Sequence, residues 1–275
     1  MATQALTLKQ YIDNPTITDG LEHLLGKKNA QALKTTVLNI ASTNKQLQEC
    51  TPRSIMGAAV CATTMNLSIT PGLGHAYIVP FNGQATFQIG FKGLIQLAHR
   101  TRQYVALHAG KIYEGELAGF NPFTGEPIQG EKISDTVVGY VAYFRLVNGC
   151  EKYLYMTVDE IKAHAEKYSK SYAYDVRSGK RNSIWNKEFD AMASKTVLKK
   201  LLGTWGILST EMATAIQADQ SVVDRETFTY VDNGGNTQKR NGIYVPEPEE
   251  ALEVVDAETG EIISEGQGDG TNDSV

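Results

Sequence analysis

The first 65 residues have the hydrophobic spacing of helices. Between residues 17 and 47, apolar side chains recur at intervals of three and four, with polar residues between them. This spacing predicts two short helices. Thr51-Pro52 then provides an N-cap residue followed by proline at the first helical position, which predicts another helix. The small residues of that helix suit close packing against a sheet.

Beyond residue 74 the spacing changes to that of strands. Ala76–Phe81 and Gln84–Gly90 flank Asn82-Gly83, the dipeptide that most readily adopts the positive φ angles of a type I′ turn. A β-hairpin is therefore predicted here. Further strands are predicted at Tyr104–Tyr113 and, as a second hairpin around Asn148-Gly149, at Thr136–Val147 and Cys150–Met156. Residues 115–130, rich in glycine and proline, are expected to form a loop.

Three later segments complete the pattern of predicted helices and loops. Phe91–Arg100 returns to helical spacing, with one apolar side and a basic polar stripe of Lys92, Gln96 and Arg100. Thr157 to Glu160 form a capping box that opens a helix, and Trp185–Leu202 has one apolar helical face. Tyr168–Ser183 has no periodicity and mixes three tyrosines with four cations, so we expect an exposed loop.

Short strands are predicted at Phe228–Val231 and Ile243–Val245.

The charge distribution separates the C-terminal end from the rest of the chain. Residues 246–275 contain ten of the 31 acidic residues and none of the 26 basic ones, so residues 1–245 carry a net charge of +5. The sequence predicts an α+β protein in which antiparallel β-hairpins pack with helices after a helical N-terminal region. We divide it into a core of residues 1–245 and a disordered acidic tail of residues 246–275.

Several functional classes lack their sequence motifs. No G-x-x-x-x-G-K-[ST] string is present for an ATP-driven motor, and the five histidines include no H-E-x-x-H zinc motif, so no metal or cofactor is expected. A nuclease reading of Glu151-Lys152 is weak, because adjacent strand residues point to opposite faces. The three cysteines are not arranged as a disulfide framework, and no signal peptide or long apolar run is seen. We expect a cytoplasmic protein that is not membrane-bound.

The remaining signal is a set of cations interleaved with aromatic residues. They occur around residues 91–113, again at 168–181 and along 187–200. Phosphates pair with cations and bases stack on aromatic rings, so this composition suits a groove for single-stranded nucleic acid. The alternative is that the lysines are solvated and the tyrosines cover sheet edges. Composition alone leaves these two interpretations open.

Two ordered blocks of residues resemble the RecT family of phage and prophage single-strand annealing proteins. The first block runs from Leu67 to Arg100 and the second from Trp185 to Val197, and the resemblance covers about residues 30–205. Phe91 departs from the tyrosine that is common in the family, and Thr101-Arg102 replaces its frequent Ser-Gly. The matching positions are Gly72 to Gly74, Ala76, Tyr77, Val79, Pro80, Phe81, Gly90, Lys92, Gly93, Leu97, Ala98 and Arg100, then Trp185, Phe189, Met192, Ala193, Lys195, Thr196 and Val197.

The resemblance implies a recombinase without ATP or covalent catalysis, which coats a single DNA strand as a homo-oligomeric ring or filament and pairs it into an annealed duplex. It also implies a partner exonuclease and contact with the host single-strand-binding protein. A coat protein that protects single strands without annealing them is the main alternative, and a nuclease is a distant third.

We select the phosphate contacts from the cations of the basic and aromatic segments, and the stacking candidates from the strand Tyr104–Tyr113. Lys92 and Arg100 share one face of their predicted helix, so we expect their replacement to leave the fold intact. The selected phosphate contacts are Lys92, Arg100, Arg102, Lys111, Arg181, Lys187, Lys195 and Lys199, and the stacking candidates are Tyr104 and Tyr113.

Overall fold

The computed structural model describes residues 6–224, 227–230 and 236–239, together with the residue pairs 254–255 and 262–263. None of the described helices is long and apolar enough to cross a membrane. The described helices are α1 Leu8–Asp13, α2 Pro15–Leu25, α3 Lys27–Thr43, α4 Lys45–Gln48, α5 Pro52–Thr64, α6 Phe91–Arg100, α7 Val158–Tyr168, α8 Lys170–Ser178, α9 Ile184–Lys187, α10 Phe189–Trp205 and α11 Thr210–Ala218. The described strands are β1 Ala76–Phe81, β2 Gln84–Ile89, β3 Tyr104–Tyr113, β4 Leu117–Phe120, β5 Pro127–Gln129, β6 Val137–Leu146, β7 Glu151–Thr157, β8 Val222–Asp224, β9 Thr227–Tyr230, β10 Asn236–Lys239, β11 Val254–Val255 and β12 Ile262–Ile263.

The N-terminal helices confirm the predicted helical region but divide it more finely. Two local breaks separate α2, α3 and α4, where the sequence predicted two helices. Gly26 has a φ of +78°, a conformation that favours glycine, and Asn44 caps α4 by accepting hydrogen bonds from the backbone of Gln46 and Leu47. The buried side chains of α2 and α3 include Ile17, Leu21, Leu33 and Val37.

The first hairpin packs directly on α5. The positive φ angles of Asn82 (+48°) and Gly83 (+74°) confirm the predicted type I′ turn between β1 and β2. Helix α5 also lies against β8, and Gly57 is needed at that contact. A Cβ atom built on Gly57 would lie 2.2 Å from the carbonyl oxygen of Val223. The predicted close packing of α5 against strands is thus confirmed.

The central sheet is antiparallel with the strand order β3-β6-β7, and α10 covers one of its faces. Tyr140, Ala142 and Phe144 of β6 are buried on that face. The predicted hairpin between β6 and β7 is present, but its turn differs from the first. At Asn148-Gly149 only the glycine has a positive φ, and its N–H donates to the carbonyl of Leu146 (3.0 Å), as in a type I turn with a G1 bulge.

Two segments predicted as loops contain regular structure, so those predictions were wrong. Residues 115–130 contain the antiparallel pair β4 and β5. Tyr168–Ser183 contains α8, which begins at the N-cap Ser169 and ends at Gly179 in the left-handed region. Helix α8 buries only Tyr172 and Asp175 among its nine residues, so its sequence carries almost no hydrophobic periodicity.

The α+β fold class is confirmed, with two differences toward the C-terminus. The helix predicted at Trp185–Leu202 is divided into α9 and α10 at Glu188, whose φ is −131°. Strand β9 confirms the strand predicted at Phe228–Val231 except for its last residue. Ile243–Val245 lies outside the described residues. So does the tail of residues 246–275, except for the antiparallel pairing of β11 with β12, and its predicted disorder and its separation from the core remain predictions.

Candidate nucleic-acid interface

A basic groove with a volume of about 470 Å³ lies between α7 and α10 and is closed at one end by α11 and β9. We refer to it as the α7–α10 groove. Its walls combine lysines with aromatic and aliphatic side chains. The residues that line it include His164, Tyr168, Trp185, Met192, Lys195, Lys199, Lys200, Ile216, Asp219 and Tyr230.

Helical spacing brings these side chains to the groove. Lys195 and Lys199 are four residues apart on α10 and so share one face, as do His164 and Tyr168 on α7. The start of α7 is fixed by the predicted capping box, in which Thr157 and Glu160 exchange hydrogen bonds. The rings of His164 and Tyr168 lie 4.6 Å apart.

The buried carboxylate of Asp219 organises the floor of the groove. It accepts hydrogen bonds from Lys199 Nζ (2.6 Å), Lys195 Nζ (3.3 Å) and the backbone N–H of Ile89 (3.0 Å). Burial alone would raise the pKa of Asp219, but the two ammonium groups outweigh it and hold this pKa below its usual value. One carboxylate is therefore shared between two lysines, and the cluster retains positive charge.

The positive charge of the neighbouring lysines also acts on His164. Burial of the ring lowers its pKa, and the charges of Lys200, Lys199 and Lys167 lower it further. His164 is consequently neutral at pH 7. Lys199 and Lys200 line the groove together with this half-buried imidazole, so an anion would be favoured there.

Cations and aromatic rings continue from the groove toward the first hairpin. Lys167 Nζ lies 5.2 Å from the centre of the Tyr168 ring, and Lys170 Nζ lies 5.6 Å from the centre of the Phe81 ring on β1. The surface therefore alternates between groups that can pair with phosphates and rings on which bases can stack.

Two of the predicted site residues lie in or beside this groove, and they differ in accessibility. Lys199 is partly exposed and lines the groove. Lys195 is 8% exposed, and burial lowers its pKa against the opposing effect of Asp219. In this position the Lys195 ammonium supports Asp219 instead of facing solvent.

The basic stripe of α6 is present, but its two cations have different surroundings. Lys92 is exposed beside Tyr77, and both side chains approach Gly74. Arg100 donates to the carbonyls of Met65 (2.8 Å) and Asn66 (2.6 Å) at the end of α5. Replacing Arg100 should therefore cost stability, because its guanidinium satisfies carbonyls at a helix terminus, and whether the fold remains intact stays a prediction.

The other predicted residues are distributed over the surface and the core. Lys111 forms an ion pair with Asp190, which also accepts from the Tyr140 hydroxyl. The Tyr104 ring is buried and its hydroxyl donates to the carbonyl of Ile207 (3.1 Å), so no base can stack on it in this structure. Lys132 Nζ lies 3.9 Å from the centre of the partly exposed Tyr113 ring. Arg102, Arg181 and Lys187 are exposed outside the groove lining.

Four residues that line the groove were not predicted as site residues from the sequence: His164, Tyr168, Lys200 and Asp219. Tyr168 and Lys200 belonged to segments already noted as basic and aromatic. The sequence around Asp219 does not indicate its role, because Asp219 lies in the turn after α11 and contacts the lysines of α10 only in the folded chain. No cluster of three or more potential metal ligands is found in the part of the chain that the structure describes.

Comparison with known proteins places most of the chain in one family. A model of the RecT family matches residues 30–231. The chain is 40% identical over 228 residues to the uncharacterized protein YqaK of Bacillus subtilis (strain 168), covering 82% of this chain and 76% of YqaK. It is 25% identical over 226 residues to protein RecT of Escherichia coli (strain K12), covering 76% of this chain and 79% of that protein.

The chain belongs to the RecT family, and the resemblance found in its sequence is confirmed. Membership of this family indicates a role in single-strand annealing during recombination.

Proposed function

We propose that this protein binds single-stranded DNA and anneals it to a complementary strand without ATP, as an oligomeric ring or filament in phage-type homologous recombination. The observation that carries the proposal is the α7–α10 groove, which Lys199 and Lys200 line, with Asp219 as the acidic residue among the lining side chains and Lys167 beside the Tyr168 ring. Family membership supports the same function.

Annealing requires that two negatively charged strands approach one another while their bases remain free to pair. Lysines that contact phosphates remove part of this repulsion and release condensed counterions. We assign this role to Lys167, Lys199 and Lys200, and base stacking to Tyr168. Contacts of this kind are individually weak, so an oligomer that repeats them along the strand gains affinity without a covalent step. We accordingly propose no catalytic residue.

The sequence-selected cations outside the groove can extend this path. Lys92 and Arg102 are exposed, and we propose that they contact phosphates beyond the groove, whereas we do not assign the exposed Arg181 and Lys187 to DNA. Lys195 instead holds Asp219 in place. The annealed duplex, a partner exonuclease and the host single-strand-binding protein are the other proposed partners, and the acidic tail is the proposed second unit of the chain.

The groove can be tested with the double variant Lys167→Ala/Lys200→Ala. Both lysines are exposed, so the fold should persist. Affinity for an oligothymidine should fall, and the log–log salt dependence of binding should flatten by roughly 0.7 for each lost phosphate contact. Fluorescence anisotropy across a salt series measures both quantities.

The matched control is Lys28→Ala/Lys45→Ala, which removes the same charge from exposed positions of the N-terminal helices. Its salt slope should equal that of the unchanged protein. Equal slopes for both double variants would show that the groove does not contact phosphates.

A further inference from the structure

The face of the central sheet opposite α10 has a different character from the α7–α10 groove. It contains a second groove, of about 460 Å³, between the sheet and the β4–β5 hairpin. Tyr143 and Tyr153 stack there with their ring centres 4.7 Å apart, and Phe120 reaches the ring of Tyr155 at 6.0 Å. This lining is aromatic and suited to apolar side chains.

Carboxylates surround this aromatic groove. Glu116 lines it, and Glu151 accepts a hydrogen bond from the Tyr153 hydroxyl (2.9 Å). Burial raises the pKa of Tyr153 to about 12, with further contributions from Glu151 and Glu126. Although Glu151 also pairs with Arg145 (3.8 Å), no lysine or arginine is among the described residues that line this groove, so it offers phosphates no cationic partner and single-stranded DNA is a poor occupant.

Exposed apolar side chains continue from the groove onto the hairpin. Phe123 is 95% exposed and Ile133 is 76% exposed, and Ile128 lies between them in sequence. From Glu114 to Glu131 the chain contains four glutamates and no basic residue. We refer to the groove and this segment together as the acidic face. An exposed apolar surface of this kind is typical of a protein contact.

The same chain carries a surface of complementary charge. Residues 176–187 contain four basic residues and no acidic one, and Val176 and Ile184 are half-exposed among them. We refer to these residues as the basic segment. Trp185 of this segment packs on Phe189, which packs on Tyr140 of the sheet face that α10 covers. The basic segment therefore lies on the opposite side of the sheet from the acidic face.

We propose that the acidic face binds the basic segment of a second copy of this chain. Opposite sides of one sheet cannot meet within a single chain, whereas two copies arranged head to tail bring them together. The contact is heterologous, so its repetition generates a ring if the rotation closes and a helical filament if it does not. This contact rests on the proposed oligomeric assembly and identifies the surfaces that form it. It does not involve the α7–α10 groove, to which the proposed function assigns DNA.

A charge-swap experiment on the full chain tests this contact. The variants are Glu126→Lys/Glu131→Lys on the acidic face, Arg177→Glu/Lys180→Glu on the basic segment, and the combination of all four changes. All four positions are exposed, so the fold should persist. Sedimentation velocity measures self-association with and without an oligothymidine, and circular dichroism verifies folding.

We expect each double variant to associate at least about tenfold more weakly, because like charges then face each other. The fourfold variant should recover most of the association, since its charges are complementary again. Phe123→Ser should also weaken association. Because the Phe123 ring is almost fully exposed, this variant should fold, and it tests the contact even if a charge variant does not fold.

Three results would overturn the inference. The unchanged protein could be monomeric with and without oligothymidine, the double variants could associate as strongly as the unchanged protein, or the fourfold variant could associate as weakly as the double variants. Loss of oligothymidine binding in Arg177→Glu/Lys180→Glu without rescue would assign the basic segment to DNA instead. Failure of annealing in a protein that assembles as expected would count against the proposed function and leave this contact intact.

Discussion

Replacement of Asp219 by asparagine should destabilise the protein strongly. The Asp219 carboxylate is 3% exposed and contacts two ammonium groups, one of which, on Lys195, is itself buried. Asparagine preserves an acceptor for the backbone N–H of Ile89 but removes the negative charge. A buried ammonium left without its partner costs about 3–5 kcal/mol, and we expect a loss of about 3 kcal/mol because Lys199 can turn toward solvent.

Urea unfolding followed by circular dichroism measures this change in the free energy of unfolding. The matched control is Lys195→Met/Asp219→Asn, which removes both buried charges and should recover most of the loss. A loss below about 1 kcal/mol for Asp219→Asn, or no recovery in the double variant, would refute the assigned role of Asp219.

The pH dependence follows from the direction of the shift. The folded-state pKa of Asp219 lies below its unfolded value, so the stabilisation is present above the unfolded value of about 3.9 and is lost as the pH falls through the folded value. The difference between the unchanged protein and Asp219→Asn should thus be constant from about pH 7 to 5 and shrink below about pH 4.

Three further predictions concern other parts of the chain. A phosphate in the groove should raise the lowered pKa of His164, so oligothymidine affinity should increase as pH falls from about 7.5 to 6, and His164→Gln should remove that increase relative to the unchanged protein in anisotropy titrations. Arg100→Ala should lower the free energy of unfolding by about 1–3 kcal/mol in urea through two lost charged hydrogen bonds, whereas an unchanged midpoint would mean that they contribute nothing. Truncation after Tyr244 should raise DNA affinity, most at low salt where the charge of the tail is least screened, and loss of annealing in the truncated protein would show that the tail is structural.

Local sequence signals predicted the elements that depend on local physics. Asn82-Gly83 determines its turn because both residues adopt positive φ, and the capping box at Thr157 is formed as expected. Helix α6 begins and ends where its spacing indicates. Helix α8 was missed because its two buried positions leave no periodic face, although Ser169 and Gly179 are recognisable helix boundaries.

The site was harder to predict because tertiary contacts decide which charges remain accessible. Lys195 and Lys199 both belong to α10 and both line the groove, yet Lys195 is buried and Lys199 is partly exposed. Their partner Asp219 is 24 and 20 residues away along the chain. Tyr104 was selected for its aromatic ring, but burial against Phe144 gives that ring a core position that strand alternation does not reveal.

The proposed function requires that the protein accelerates strand pairing without a nucleotide triphosphate. Its direct test mixes complementary oligonucleotides that carry a fluorescent donor and acceptor, with purified protein and no nucleotide or magnesium, and follows energy transfer over time. We expect faster pairing with the protein than with DNA alone, and slower pairing with Lys167→Ala/Lys200→Ala than with Lys28→Ala/Lys45→Ala. Slower pairing with the unchanged protein than with DNA alone would identify a protective coat, and a strict requirement for ATP would contradict the mechanism.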